Sequence, residues 1–222
     1  MMRRLIIAGL VALFAASSAA RAQDPRLARK LDPQVLGEVQ ALIDSARAAG
    51  IPTEPLADKA FEAVLKGAKG QAIVDAVRRR TVQLGAARTA LFPASEAEIL
   101  AGAGAIGWGV PQGTLTQLRR ARPQSDLTVP VSVLGDLVSR GVQLDTASAV
   151  VIALVSTNMR DTDMIKFRQT VERDIALGSL PAAALTTRAE AAGAGDLANS
   201  PTSANGPGRA PTVPSPKPPI KP

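Results

Sequence analysis

The feature that most constrains the fold of this chain is a repeated signal for the end of a helix. Gly50-Ile51-Pro52, Gly109-Val110-Pro111 and Gly141-Val142-Gln143 each separate two amphipathic segments, and Gly178-Ser179-Leu180-Pro181 is a looser version. Glycine takes the left-handed C′ position, the next apolar residue folds back onto the helix it ends, and proline, where present, blocks continuation. These signals predict consecutive short helices.

Between the signals, apolar residues recur at helical spacing from about residue 32 to 178. Asp32-Pro33 provides an N-cap with proline at the first helical position. Ser95 and Glu98 form a capping box that opens another helix. Ala147 to Val155 is apolar on every side, which indicates the central helix of a core. The other predicted helices span about residues 53–66, 70–91, 112–121, 128–140, 144–157 and 162–177.

The predicted fold class is therefore all-α. Aromatic residues make up only 2% of the chain, so alanine, leucine and valine must form the core, which favours close helices over strands. The array is either a multi-helix bundle or a short, irregular array of helical hairpins resembling an α-solenoid. The unequal spacing of the glycine signals leaves both forms open.

Residues 1–22 read as a cleaved secretory signal peptide. Arg3 and Arg4 precede the apolar stretch Leu5 to Ala16, and Ala20-Arg21-Ala22 supplies a cleavage site. The stretch is short for a membrane span, which takes about 20 residues, so an uncleaved anchor is the lesser alternative. We expect export to the periplasm, cell envelope or exterior. Residues 23–31 are a short linker before the predicted core of 32–178.

The C-terminal part changes character twice. Residues 179–196 are rich in alanine and predict a helical or fraying extension. Residues 197–222 contain eight prolines and three basic residues, with no acidic residue. Such a segment cannot form a helix or a sheet, and it predicts a disordered, basic, proline-rich tail.

The formal net charge of +7 is concentrated at the two ends, and residues 23–196 are nearly neutral. This distribution argues against a dedicated nucleic-acid-binding domain, which would present a strongly positive face. Dense arginine clusters occur on two predicted helices. An anionic partner could bind these clusters and the tail, although solvated helix faces explain the clusters as well. The candidate contacts are Arg78, Arg79, Arg119, Arg120, Arg122, Arg209, Lys217 and Lys221.

The sequence predicts no metal and no cofactor. It contains neither cysteine nor histidine, which removes disulfides, a lipidated cysteine and the usual ligands of zinc, copper and haem. Asp161, Asp163 and Glu172 match calcium-loop positions, but Lys166 stands where that loop needs glycine. We interpret the match as an acidic first turn of a helix, which the helix dipole favours.

Gly102-x-Gly104-x-x-Gly107 spells a dinucleotide-binding fingerprint, but a capped helix precedes it where the fingerprint requires a strand. Close approach of two helices or a flexible corner is the better interpretation, with Trp108 predicted to be buried at a joint. Without histidine, cysteine or tyrosine, the usual general bases and nucleophiles are also missing.

The sequence therefore predicts a non-enzymatic scaffold or adaptor that binds another macromolecule, most simply a second envelope or secreted protein. The alternative is an electrostatic tether, in which the tail and the arginine clusters hold the protein on an anionic envelope polymer or a membrane surface. A hydrolase with two convergent carboxylates is a third class. It would require two acids meeting in a cleft.

Overall fold

The computed structural model describes residues 25–194, apart from the side chain of Pro25. The predicted signal peptide and the predicted proline-rich tail lie outside these residues. Within them the chain is all helix and turn, without a strand, as predicted. The helices are α1 Pro25–Ala28, α2 Pro33–Ala48, α3 Glu54–Leu65, α4 Gln71–Ala90, α5 Glu96–Gly107, α6 Gln112–Ala121, α7 Thr128–Ser139, α8 Leu144–Ser156, α9 Asp161–Ala176 and α10 Pro181–Ala191.

The predicted glycine signals end their helices as expected. Gly50, Gly109, Gly141 and Gly178 all have positive φ. At Gly141, for example, the Val142 N–H donates to the Leu137 carbonyl at 3.1 Å and the Gly141 N–H to the Val138 carbonyl at 3.0 Å. This pair of bonds defines a Schellman motif. The sequence thus sets the helix boundaries through local backbone chemistry.

The helical part of the chain extends beyond residues 32–178. At the N-terminal side, Leu27 of α1 is fully buried. At the C-terminal side, α10 is a helix of its own that packs against α9 and α8 and buries Ala184, Leu185 and Ala189. Gly178 ends α9 and Pro181 begins α10, so the alanine-rich segment starts a new helix.

Contacts within the chain divide it into two compact units, Met1–Val82 and Gln83–Pro222. The described part of the N-terminal unit contains α1, α2, α3 and α4 up to Val82. Its core is formed by fully buried side chains of α2, α3 and α4, among them Val39, Leu56 and Val77.

The C-terminal unit is a two-layer stack of helical hairpins. In one layer α7 packs against α5 and α9, and in the other α8 packs against α6 and α10. The hairpins α5–α6, α7–α8 and α9–α10 begin at residues 96, 128 and 161, a nearly constant interval of about 32 residues. The alternation of layers is that of a short α-solenoid. The apolar run of α8 is central to the core, as predicted, and Val151, Leu154 and Val155 are fully buried.

Two glycines allow helices of this unit to approach closely. A Cβ atom on Gly102 would lie 2.8 Å from the Ala87 Cβ, and one on Gly135 would lie 3.3 Å from the Ala105 Cα. The fingerprint-like glycines all belong to α5, of which Gly107 is the last residue, and Gly102 serves helix packing, in agreement with the sequence interpretation.

The prediction that Trp108 is buried is wrong. Its side chain is 61% exposed, whereas Val110, two residues later, is 1% exposed. The Schellman motif at Gly109 explains the difference. The residue after the glycine folds back onto the core, and the Val110 N–H donates to the Ala105 carbonyl at 3.1 Å. Trp108 is left at the helix end, facing solvent.

Candidate functional site

The most elaborate polar arrangement in the described residues begins with the capping box of α5. The Ser95 hydroxyl accepts a hydrogen bond from the Glu98 N–H at 3.2 Å, and Glu98 Oε2 accepts from the Ser95 N–H at 2.7 Å. The predicted capping box is therefore confirmed. Glu98 is only 4% exposed, so its carboxylate is buried. A buried carboxylate requires a cationic or hydrogen-bonding partner.

Arg119 of α6 is that partner. Its Nη2 donates to Glu98 Oε1, its Nε donates to the Leu91 carbonyl at 3.0 Å, and its Nη1 donates to the Ser125 carbonyl at 3.0 Å. Glu98 Oε1 also accepts from the Leu127 N–H at 2.9 Å. The pair thereby fastens the end of α4, the start of α5 and the α6–α7 loop to one another. We call these contacts the Glu98–Arg119 network.

A surface depression of about 210 Å³ opens beside this network. It is lined by Pro93, Glu98, Arg119, Pro123, Gln124, Ser125 and Asp126. We call it the Pro93 depression. Phe92, which is joined to Pro93 by a cis peptide bond, is 71% exposed. Asp126 is also exposed, and it accepts a hydrogen bond from the Thr128 N–H at 2.6 Å. The depression thus combines a rigid polar floor with apolar and acidic groups at its edge.

The floor of the Pro93 depression is formed by the buried Glu98–Arg119 ion pair. The two Glu98 oxygens receive hydrogen bonds from the Ser95 N–H, the Leu127 N–H and Arg119. Three donors hold the Glu98 carboxylate in one orientation. Because one of these donors is the Leu127 N–H, the carboxylate also fixes the α6–α7 loop. No group of three potential metal-ligating side chains occurs among residues 25–194.

The acids that resembled a calcium loop do not converge. Asp161 pairs with Arg122 at 3.3 Å and Asp163 pairs with Arg160 at 2.8 Å. Glu172 lies 3.9 Å from both Arg140 and Arg168. Asp161 and Asp163 lie in the first turn of α9, as the sequence interpretation predicted.

The structure separates the basic residues singled out from the sequence. Arg119 is buried in the network just described, and Arg122 donates to the Met159 carbonyl at 2.8 Å in addition to its contact with Asp161. Arg78 is exposed and pairs with Asp75 at 2.6 Å. Arg79 and Arg120 are exposed. Arg209, Lys217 and Lys221 lie outside the described residues.

Sequence reasoning missed two residues that matter here. Glu98 was interpreted as a helix cap alone, and Phe92 was not singled out. Arg80 belongs to one of the two predicted arginine clusters, Arg78-Arg79-Arg80, but was not among the candidate contacts. A signal existed for the buried arginine: Arg119 follows Leu115 by four residues, so helical spacing places it on the inward face of α6. Nothing in the sequence indicates which carboxylate meets it.

A second charged cluster lies in the N-terminal unit. Glu62 of α3 accepts hydrogen bonds from Lys59 at 2.8 Å and Lys66 at 2.5 Å. These bonds lower the pKa of Glu62 to about 2. Arg80 is near enough to feel the charge of Glu62, which raises its pKa, but burial lowers that pKa by more. Among the described residues Arg80 makes no hydrogen bond or ion pair.

Comparison with known proteins gives no match: no protein family, no curated protein and no solved structure is significantly similar to this chain. Among residues 25–194, none of the helices combines the length and the apolar character needed to cross a membrane.

Proposed function

We propose that this protein is a non-enzymatic, exported helical adaptor that binds another envelope or secreted protein at the Pro93 depression. The observation that carries the proposal is the exposure of Phe92. The chain has only five aromatic residues, four Phe and one Trp. Phe92 is 71% exposed, beside a depression with a rigid floor. Exposed aromatic side chains beside such depressions are typical anchors of protein interfaces.

The edge of the depression defines the partner segment. Pro93 and Pro123 line the depression and offer apolar surface, and Asp126 offers a carboxylate. The exposed Phe92 directly precedes Pro93 in the chain. The matching segment is a short extended peptide with an apolar residue next to a basic one. The Glu98–Arg119 network supports this because it fixes the α6–α7 loop before the partner arrives, which lowers the entropic cost of binding.

A crosslinking pull-down from envelope extracts tests the adaptor. Residues 23–222 serve as bait beside two variants, Phe92→Ser and Asp126→Lys. Leu177→Ser is the matched control, because Leu177 is 79% exposed in the same unit but distant in sequence from the depression. We expect one discrete protein that resists high salt, is captured by wild type and control, and is lost from both variants. Equal capture by all four baits would contradict the proposal.

Electrostatic attachment to an anionic surface is the second candidate function. Charge in the N-terminal unit favours it. Residues 25–82 contain ten basic and seven acidic side chains, whereas residues 83–194 contain ten of each. The basic tail adds to the positive end charges. Attachment of this kind weakens sharply above physiological ionic strength. A bait of residues 23–196 is compared with residues 23–222 at low and high salt. Capture that is lost with the tail or at high salt indicates electrostatic attachment, whereas capture by both baits at both salt concentrations indicates the adaptor.

A further inference from the structure

The end of α3 and the turn that follows it combine an exposed leucine with cations. Leu65, the last residue of α3, is 86% exposed. Lys66 follows directly with a side chain that is 73% exposed, and Lys69 is exposed in the turn to α4. A single exposed leucine is ordinary on a protein surface. A leucine among cations at a helix end is the pattern by which a surface protein enters the interface of an anionic bilayer.

The helix places these groups on one side. With successive residues 100° apart, Leu65, Glu62, Lys66 and Lys59 fall within a sector of about 120°. The acids in this sector are Glu62 and Asp58. Glu62 is already bonded to two lysines. Asp58 lies two turns before Leu65, toward the other end of the helix. Near Leu65, Lys66 and Lys69 therefore outnumber the one acid, Glu62, and leave a small excess of positive charge.

Arg80 of α4 is a further cation, close enough to Glu62 to interact with its charge. Its position on α4 follows the buried Val77 by three residues and precedes the buried Leu84 by four, which explains why it is half-buried. Its guanidinium has no hydrogen-bond partner among the described residues. A partly desolvated guanidinium with free donors is suited to bind phosphate, because its planar fork matches two phosphate oxygens.

We propose that the Leu65 end of the N-terminal unit docks on an anionic lipid bilayer. Leu65 enters the interface between headgroups and acyl chains, and Lys66, Lys69 and Arg80 bind headgroup phosphates. This docking is independent of the adaptor site, which belongs to the other unit. This proposal rests on electrostatic attachment, the second candidate function. It names the protein surface that makes the attachment and the class of partner, an anionic bilayer.

Vesicle binding by residues 23–222 tests the proposal. The probes are vesicles of phosphatidylcholine alone and vesicles in which about one-third of the lipid is phosphatidylglycerol. We expect binding to the anionic vesicles only. Leu65→Ser should weaken it about tenfold, and Lys66→Gln and Lys69→Gln about fivefold each. Leu177→Ser is the matched control, since it removes an equally exposed leucine from the C-terminal unit, and it should bind like wild type.

A second readout reports insertion directly. In a Trp108→Phe background, Leu65→Trp places the only tryptophan of the chain at the proposed contact. Its emission should shift to shorter wavelength when anionic vesicles are added. Two results would overturn the proposal: no binding to the anionic vesicles, or vesicle binding that Leu65→Ser leaves unchanged. In the second case, competition by soluble polyglutamate would leave a polymer tether as the function.

Discussion

In the N-terminal unit, several ion pairs join side chains three or four residues apart on a single helix, whereas in the C-terminal unit several ion pairs also join separate helices. Lys59–Glu62 and Arg78–Asp75 are examples of the first kind. Arg188 of α10 binds Asp174 of α9 through two bonds of 2.6 and 3.0 Å, and Arg168 of α9 binds Asp136 of α7. Pairs on one helix stabilise that helix, but pairs between helices also fix how the helices pack. The four predictions that follow test this difference, from the largest expected effect to the smallest.

Arg119→Met should destabilise the C-terminal unit by about 3–5 kcal/mol, because it leaves Glu98 buried without its cation. Urea unfolding followed by the fluorescence of Trp108, which belongs to this unit, measures the loss. The control is Arg120→Met, an exposed neighbour that should change stability by less than about 0.5 kcal/mol. A loss below about 1 kcal/mol for Arg119→Met would show that the network does not hold the unit together.

Gly102→Ala should cost about 1–3 kcal/mol, because the added Cβ would lie 2.8 Å from the Ala87 Cβ and 2.9 Å from the Leu91 Cδ1. Gly37→Ala on α2 in the N-terminal unit is the matched substitution. A Cβ there has no neighbour within 4 Å, so the change should stabilise by about 0.5–1 kcal/mol. Thermal unfolding of both variants checks the signs. Two effects of the same sign would contradict the difference in packing.

Glu62 should titrate with a pKa of about 2, and Lys66→Gln should raise this pKa toward the ordinary value of 4.5. Because the folded pKa is the lower one, the pair contributes stability above about pH 4.5, and this contribution is lost as the pH falls through about 2. Since the pair is local and exposed, the contribution is a few tenths of a kcal/mol. Carboxyl carbon shifts in an NMR titration measure the pKa. An unchanged value in Lys66→Gln would rule out the assigned cause.

Deletion of residues 197–222 should change the free energy of unfolding by no more than about 0.5 kcal/mol, since a solvated, proline-rich segment buries little surface. Melting curves of residues 23–222 and 23–196 make the comparison. A large drop in melting temperature would mean that the tail docks on one of the two units.

The elements that sequence reasoning predicted correctly depend on residues close together in the chain. The glycine signals and the Ser95–Glu98 capping box are local chemistry, so they could be read directly. Asn158 ends α8 in the same left-handed conformation, with a φ of 54°, but asparagine is a weaker signal than glycine and was missed. The meeting of Glu98 with Arg119, 21 residues apart, depends on which helices pack together, and no local pattern encodes that.

The stacking of the hairpins also determines where local unfolding of the C-terminal unit begins. Among residues 25–194, the hairpin α7–α8 has helical neighbours on both sides, whereas α9–α10 packs mainly against α7 and α8. In such arrays each hairpin is held by its nearest neighbours, and local opening starts at an unsupported end. Amide protons of α10 should therefore exchange with solvent before those of α8. The central apolar helix is the last part of the stack to lose its protection.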